Sequence, residues 1–230
     1  MGKERPRGTT LTVKKVLILV EGQTEETFIK RVLTPYLQGF GVSAVPTILV
    51  TKRTRSGRAF RGGVPPYQRV RAEILRLLGD RSALVVTTMI DYYALPHSFP
   101  GNQAPLGIDI YQRVACLETA WQQDIHDQRF LPYYAVHEFE ALLFSSPSAV
   151  ATALGNASIA SKLVRDRSAF RSPEEIDDDP HKHPSALLVR YYPPYKKLVD
   201  GARIATNIGI NLMRRECKHF DEWARKLETC

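Results

Sequence analysis

The chain has 230 residues, 43% of them hydrophobic, and a formal charge of +8 from 32 Lys and Arg against 24 Asp and Glu. That length can bury a core as one large domain or one and a half small ones, and the composition is well removed from that of a disordered chain. No apolar run approaches the roughly 18 residues that a membrane span requires.

The N-terminal stretch MGKERPRGTTLTVKK is basic, but the apolar run behind it ends after a few residues and lacks a small-residue cleavage site, so a signal peptide is not expected. Val16 to Val20 is branched and apolar and predicts a buried strand. It ends at Glu21-Gly22, where the glycine would allow a sharp turn. Thr24 is then placed to cap a helix with Glu25 and Glu26 in its first turn, where the helix dipole favours acids, and Phe28, Ile29, Val32 and Leu33 form its apolar stripe. Val45 to Val50 predicts a second strand. The stretch after it carries Lys52, Arg53, Arg55, Arg58 and Arg61 with no acid. It reads either as a solvated surface loop or as a loop that grips the phosphates of a nucleic acid, with Gly57, Gly62 and Gly63 letting it adapt.

Tyr67 to Leu78 has helical spacing at Val70, Ile74, Leu77 and Leu78, and Gly79-Asp80 ends it. Ala83 to Ile90 predicts a third strand, ending in Asp91. The Pro- and Gly-rich segment 92–107 is long for a loop inside a compact domain, and loops of that kind are often functional. A helix is predicted over Ile108 to Gln128 and a fourth strand over Phe130 to Val136, running into His137-Glu138. From Ser145 onward the texture changes to short helical stretches: Ala149 to Leu154, Ser158 to Val164, Ala202 to Ile208 and Arg214 to Leu227. The alternation over residues 15–140 predicts an α/β fold with a mainly parallel sheet flanked by helices. The expected organisation is an α/β domain over 1–145 and a helical C-terminal extension over 146–230 packed on it.

Three strands would thus end in acids, at Glu21, Asp91 and Glu138, with Glu140 close behind. In a parallel sheet those ends share one edge, where α/β proteins bind ligands. Crowded carboxylates repel one another and favour a hard cation, Mg2+ or Mn2+. Each acid also has a plain structural reading, as a turn, a loop cap or a first-turn helix charge. Asp177-Asp178-Asp179-Pro180-His181-Lys182-His183 has a metal-binding look but reads better as a solvated loop, and Cys217 with His219 lacks the second pair of a zinc site. Cys116, Cys217 and Cys230 are scattered and give no disulfide framework, which fits a cytoplasmic protein.

These residues carry a resemblance. A strand followed by Glu-Gly and a helix, then a strand ending in Asp, is similar to the Toprim domain of topoisomerases, primases and overcoming-lysogenization-defect nucleases. VEGQTEETFIKRVL, TTMIDYYALPHSFPG, AVHEFEALLFS, Tyr195-Lys196-Lys197-Leu198 and ECKHFDEWARKLE resemble, over nearly the whole chain, an uncharacterised bacterial family of Toprim-related proteins encoded beside AAA- or ABC-type ATPases, an arrangement of antiphage defence. The resemblance implies a Toprim fold, a divalent metal and nuclease activity on DNA or RNA, transfer RNA included. Glu21 matches the Toprim glutamate, Asp91 the first acid of Asp-x-Asp, and Lys197 a recurring lysine of the tail; Tyr93 stands where the second aspartate belongs. Glu138 or Glu140 would make up that loss. The expected activity is a metal-dependent Toprim nuclease gated by an ATPase partner. The rival expectation is a nucleic-acid-binding or sensor subunit without catalysis. The oligomeric state stays open.

Overall fold

A computed structural model describes residues 13–49, 64–93, 95–102, 109–176 and 182–230. The apolar run at the start becomes β1 (Lys14–Val20), the inner strand between β2 (Val42–Ile48) and β3 (Ala83–Asp91). The ladder runs β2-β1-β3-β4, with β4 (Phe130–Leu131) and β5 (Tyr134–Ala135) both on β3, and every pairing is parallel. Both faces are covered. Leu17 and Leu19 pack with Val86, Ile90 and the side chains of α3 (Tyr67–Leu78) and α4 (Ile110–Ile125). Val16, Ile18 and Val20 pack with Phe28 and with Met213, Phe220 and Trp223 from the C-terminal third. A strand buried on both faces explains an apolar run without alternation. The α/β class with a mainly parallel sheet, flanking helices and a helical C-terminal region is therefore what the chain adopts.

Several boundaries differ from expectation, each for a local reason. β2 starts at Val42 rather than Val45, because the buried positions are Val42 and Ala44 while Val45 is 40% exposed. Among the described residues it is an edge strand, which accommodates Pro46. The first helix, α1 (Gln23–Phe28), is capped by Gly22 and not by Thr24; Gly22 donates its N–H to Glu25 Oε2 at 3.0 Å. Gly22 has φ −154°, an extended conformation open to any residue, so no special turn is needed there. A π turn (Ile29–Leu33) joins α1 to α2 (Thr34–Gln38).

The expected fourth strand is split into β4 and β5, because Pro132 lacks an N–H to continue the ladder. Thr88 fills the gap: its hydroxyl donates to the Tyr133 carbonyl at 2.8 Å and accepts from the Tyr133 N–H at 2.9 Å. A 3-10 helix (Phe139–Ser145) follows, then α5 (Pro147–Ala153), α6 (Ala160–Ser168) and α7 (Pro184–Tyr191), the last of which had no counterpart among the predicted elements. After a π turn (Lys197–Gly201) come α8 (Ala202–Ile208), α9 (Ile210–Glu216) and α10 (Lys218–Glu228). α9 and α10 replace the single predicted helix; Cys217 is extended between them, and the buried Glu174 carboxylate accepts the His219 and Phe220 N–H groups at 3.0 and 2.9 Å.

α10 is tied to the sheet through Trp223. Its indole N–H donates to Thr87 Oγ1 at 2.9 Å, and its ring stacks on Tyr133 at 4.2 Å. Trp223→Ala is expected to cost about 3–5 kcal/mol in urea unfolding, and Trp223→Phe about 1 kcal/mol from the lost hydrogen bond. No helix among the described residues is long and apolar enough to cross a membrane.

Candidate functional site

β1 and β3 are parallel neighbours with Val20 opposite Met89, so Glu21 and Asp91 leave the sheet at the same edge. Asp91 is fixed there: its Oδ1 accepts the Phe139 N–H at 2.9 Å, which joins the end of β3 to the start of the 3-10 helix. That helix carries Glu140, fully buried, whose Oε1 accepts a hydrogen bond from the Tyr195 hydroxyl at 3.2 Å. Glu25 arrives from the first turn of α1, held by Gly22.

Lys197 enters among these acids from the tail. It opens the π turn that Asp200 secures by accepting the Lys196 N–H at 2.8 Å. Gly201 at the end of that turn lies so close to Tyr195 that a Cβ would stand 3.2 Å from the phenol oxygen. The Lys197 ammonium is 3.0 Å from Glu140 Oε2, 3.5 Å from Asp91 Oδ2 and 3.6 Å from Glu25 Oε1. Three carboxylates from separate elements thus converge on one cation.

The electrostatics follow from burial and crowding. Burial pushes the Asp91 carboxyl well above its ordinary range; the Lys197 charge opposes this, while Glu25, Glu21 and Glu140 add to it. Glu140 is pushed up to about 7, again mainly by burial, with Lys197 opposing and Glu138 and Glu25 adding. Burial would discharge Lys197, but Asp91, Glu140 and Glu25 outweigh it and hold the ammonium charged. Among the described residues the acids of this edge outnumber the Lys197 ammonium, and a group able to give or take a proton near neutrality sits among them.

Of the acids singled out in the sequence, Asp91 and Glu140 meet at Lys197, and Glu21 lies near enough for its charge to act on Asp91. Glu138 does not join them. Its buried carboxylate accepts hydrogen bonds from the Ser185 N–H and, at 3.0 Å, the Ser185 hydroxyl, and lies 3.0 Å from His183 Nδ1. Among the described residues, no three His, Cys, Asp or Glu side chains are spaced to bind a metal ion as they stand. Lys52, Arg53, Arg55, Arg58, Arg61, Asp177, Asp178, Asp179 and His181 lie outside the described residues. Cys217 is buried against Ser145, and His219 pairs with Glu118 at 2.9 Å.

The model of a family described as "Domain of unknown function (DUF4276)" matches residues 20–228. The chain belongs to the DUF4276 family. No curated protein matches it. Among solved structures, the C-terminal region of the Burkholderia pseudomallei OLD protein is similar at 13% identity over 91% of this chain and 98% of that one, with a TM-score of 0.36, too slight a likeness to argue from. The site of this DUF4276 chain therefore rests on its own geometry. Two of its members, Glu25 and Tyr195, are absent from the sequence-level candidates. Glu25 follows Glu21 by four residues, and its role as a first-turn helix acid masks its role in the site. Tyr195 lies two residues before Lys197 in an aromatic turn that reads as rigid packing.

Proposed function

We propose that this DUF4276 chain is a metal-dependent phosphodiesterase of the Toprim type that cuts DNA or RNA. The observation that carries the reading is the convergence of Glu25, Asp91 and Glu140 on the Lys197 ammonium at the carboxyl edge of a parallel sheet. The donor chemistry, though not the present spacing, suits a hard divalent ion: the oxygens are carboxylate, largely buried and mutually repelling, and the Lys197 ammonium stands among them. Asp91 and Glu140, with Glu25 and Glu21, would hold Mg2+ or Mn2+, which supplies charge stabilisation at phosphorus and a more acidic water.

The protein's own groups have distinct parts in this proposal. Asp91, held by the Phe139 N–H, keeps its position without reorganising. Lys197 offers its ammonium to a non-bridging phosphate oxygen. Glu21 orients the attacking water and takes its proton. The basic stretch from Lys52 to Arg61 would grip the backbone phosphates. The family resemblance extends the proposal to an antiphage-defence effector controlled by a partner ATPase. A second reading, a nucleic-acid-binding or sensor subunit without catalysis, has its own support: Lys197 neutralises the acids, and no three ligands are spaced for an ion among the described residues.

The test is incubation of the purified chain with plasmid DNA and with transfer RNA, in Mg2+, in Mn2+ and in EDTA. Cleavage that needs the metal supports the enzyme. Cleavage seen only when an ATPase encoded beside the gene is added supports the gated effector. Tight binding without cleavage in every sample supports the second reading.

A further inference from the structure

His183, the last residue of a tract read from the sequence as a solvated loop, stands against Glu138, two residues before Glu140. The His183 ring stacks on Tyr93, with centroids 5.0 Å apart and planes at 23°. Its Nδ1 lies 3.0 Å from Glu138 Oε1 and 3.2 Å from Ser185 Oγ. Glu138 is itself buried and held by Ser185, so the imidazole is clamped from behind. Tyr93 is anchored through its N–H to the His137 carbonyl at 2.7 Å. Both residues remain partly exposed, with 17% of the His183 side chain open to solvent.

The chain links the pair to the proposed reaction centre. Tyr93 is two residues beyond Asp91, and Glu138 is two residues before Glu140. The charge of Glu138 is felt at Glu140. A nucleotide with its phosphate at the acids and Lys197 would present its base to the strand ends around it, where Tyr93 follows Asp91. In a duplex the base faces are covered by their stacked neighbours; an unpaired base leaves its π face open to an aromatic side chain.

We infer that the Tyr93–His183 pair is a base-stacking platform that selects single-stranded or locally unpaired nucleic acid. This rests on the phosphodiesterase reading, because it names the substrate class of that same site. Glu138 and Ser185 are positioning residues in it.

The test uses the full chain in EDTA, where binding is read without cleavage. The probe is a short oligonucleotide carrying 2-aminopurine, alone or annealed to its complement. The single strand is expected to bind at least about tenfold more tightly than the duplex, with quenched fluorescence, and Tyr93→Ala to weaken it about 5- to 150-fold, the span of one base–aromatic stack. Tyr93→Phe should bind like the parent. Tyr93→Leu keeps the bulk without the π face and should bind like the alanine variant, which covers the case of an alanine variant that does not fold. Parent-like single-strand binding and quenching by a folded Tyr93→Leu, or equal parent affinity for duplex and single strand, overturns the platform. If the parent in Mg2+ still cuts nucleic acid in that event, the phosphodiesterase reading stands alone. A parent that neither binds nor cuts nucleic acid overturns both.

Discussion

Asp91→Asn is expected to lower metal-dependent cleavage by about 10²- to 10³-fold or more, the loss typical of removing one preorganised electrostatic group, while the protein stays folded. The substitution is close to ideal because the two oxygens of Asp91 have separate partners. Oδ1 accepts the Phe139 N–H and Oδ2 faces Lys197. Asparagine keeps an acceptor for Phe139 and removes a charge that burial and three neighbouring acids oppose. Its amide NH2 then faces the Lys197 ammonium in place of Oδ2, which offsets the gain, so the melting temperature should stay close to that of the parent. Asp91→Ala deletes the acceptor as well, leaving the Phe139 N–H unpaired at a cost of about 1–2 kcal/mol. Equal loss of activity in both variants, with loss of stability only in alanine, separates the chemistry from the fold. Parent-like cleavage by a folded Asp91→Asn removes Asp91 from the mechanism.

Glu140→Gln is expected to make the protein more stable and inactive at once. Folding buries this carboxyl and raises its pKa to about 7. The native state then binds more protons than the unfolded chain between the ordinary glutamate range and about pH 7. The sign is therefore negative: stability conferred by the protonated form is complete below the unfolded pKa, falls as pH rises, and is lost above about 7. Asp91, raised for the same reason, acts in the same direction. Glutamine keeps an acceptor for the Tyr195 hydroxyl and carries no charge. The melting temperature of Glu140→Gln should exceed that of the parent at pH 8, and the two should converge near pH 4. A variant less stable than the parent at pH 8 would show that the Lys197 ion pair outweighs the burial. A stabilised and inactive variant is the mark of an active site that holds its charges against the preference of the fold.

Much of this was legible in the residues, and the losses have identifiable causes. The apolar runs of β1 and β3 and the spacing of Val70, Ile74, Leu77 and Leu78 fix their elements closely because burial alone decides them. The split of the fourth strand was hidden because it depends on Thr88, a side chain 45 residues away, taking over the hydrogen bonds of Tyr133. The place of Glu25 and Tyr195 in the site was hidden likewise. Each has a sufficient local explanation, helix charge in one case and aromatic packing in the other, and only the tertiary approach of Lys197 adds a second role. Glu138 shows the converse. Its position after β5 matches that of the other strand-end acids, yet its carboxylate serves His183 and Ser185, because α7 docks there and the tract that precedes α7 gives no sign of doing so.

The most direct measurement is a crystal of the chain soaked in manganese, with the anomalous signal recorded at the carboxylate edge. The account predicts a peak at coordination distance from oxygens of Asp91 and Glu140, with the Lys197 ammonium moved away from its 3.0 Å contact to Glu140. No peak at saturating manganese, with Lys197 still seated between Glu140, Asp91 and Glu25, would contradict it.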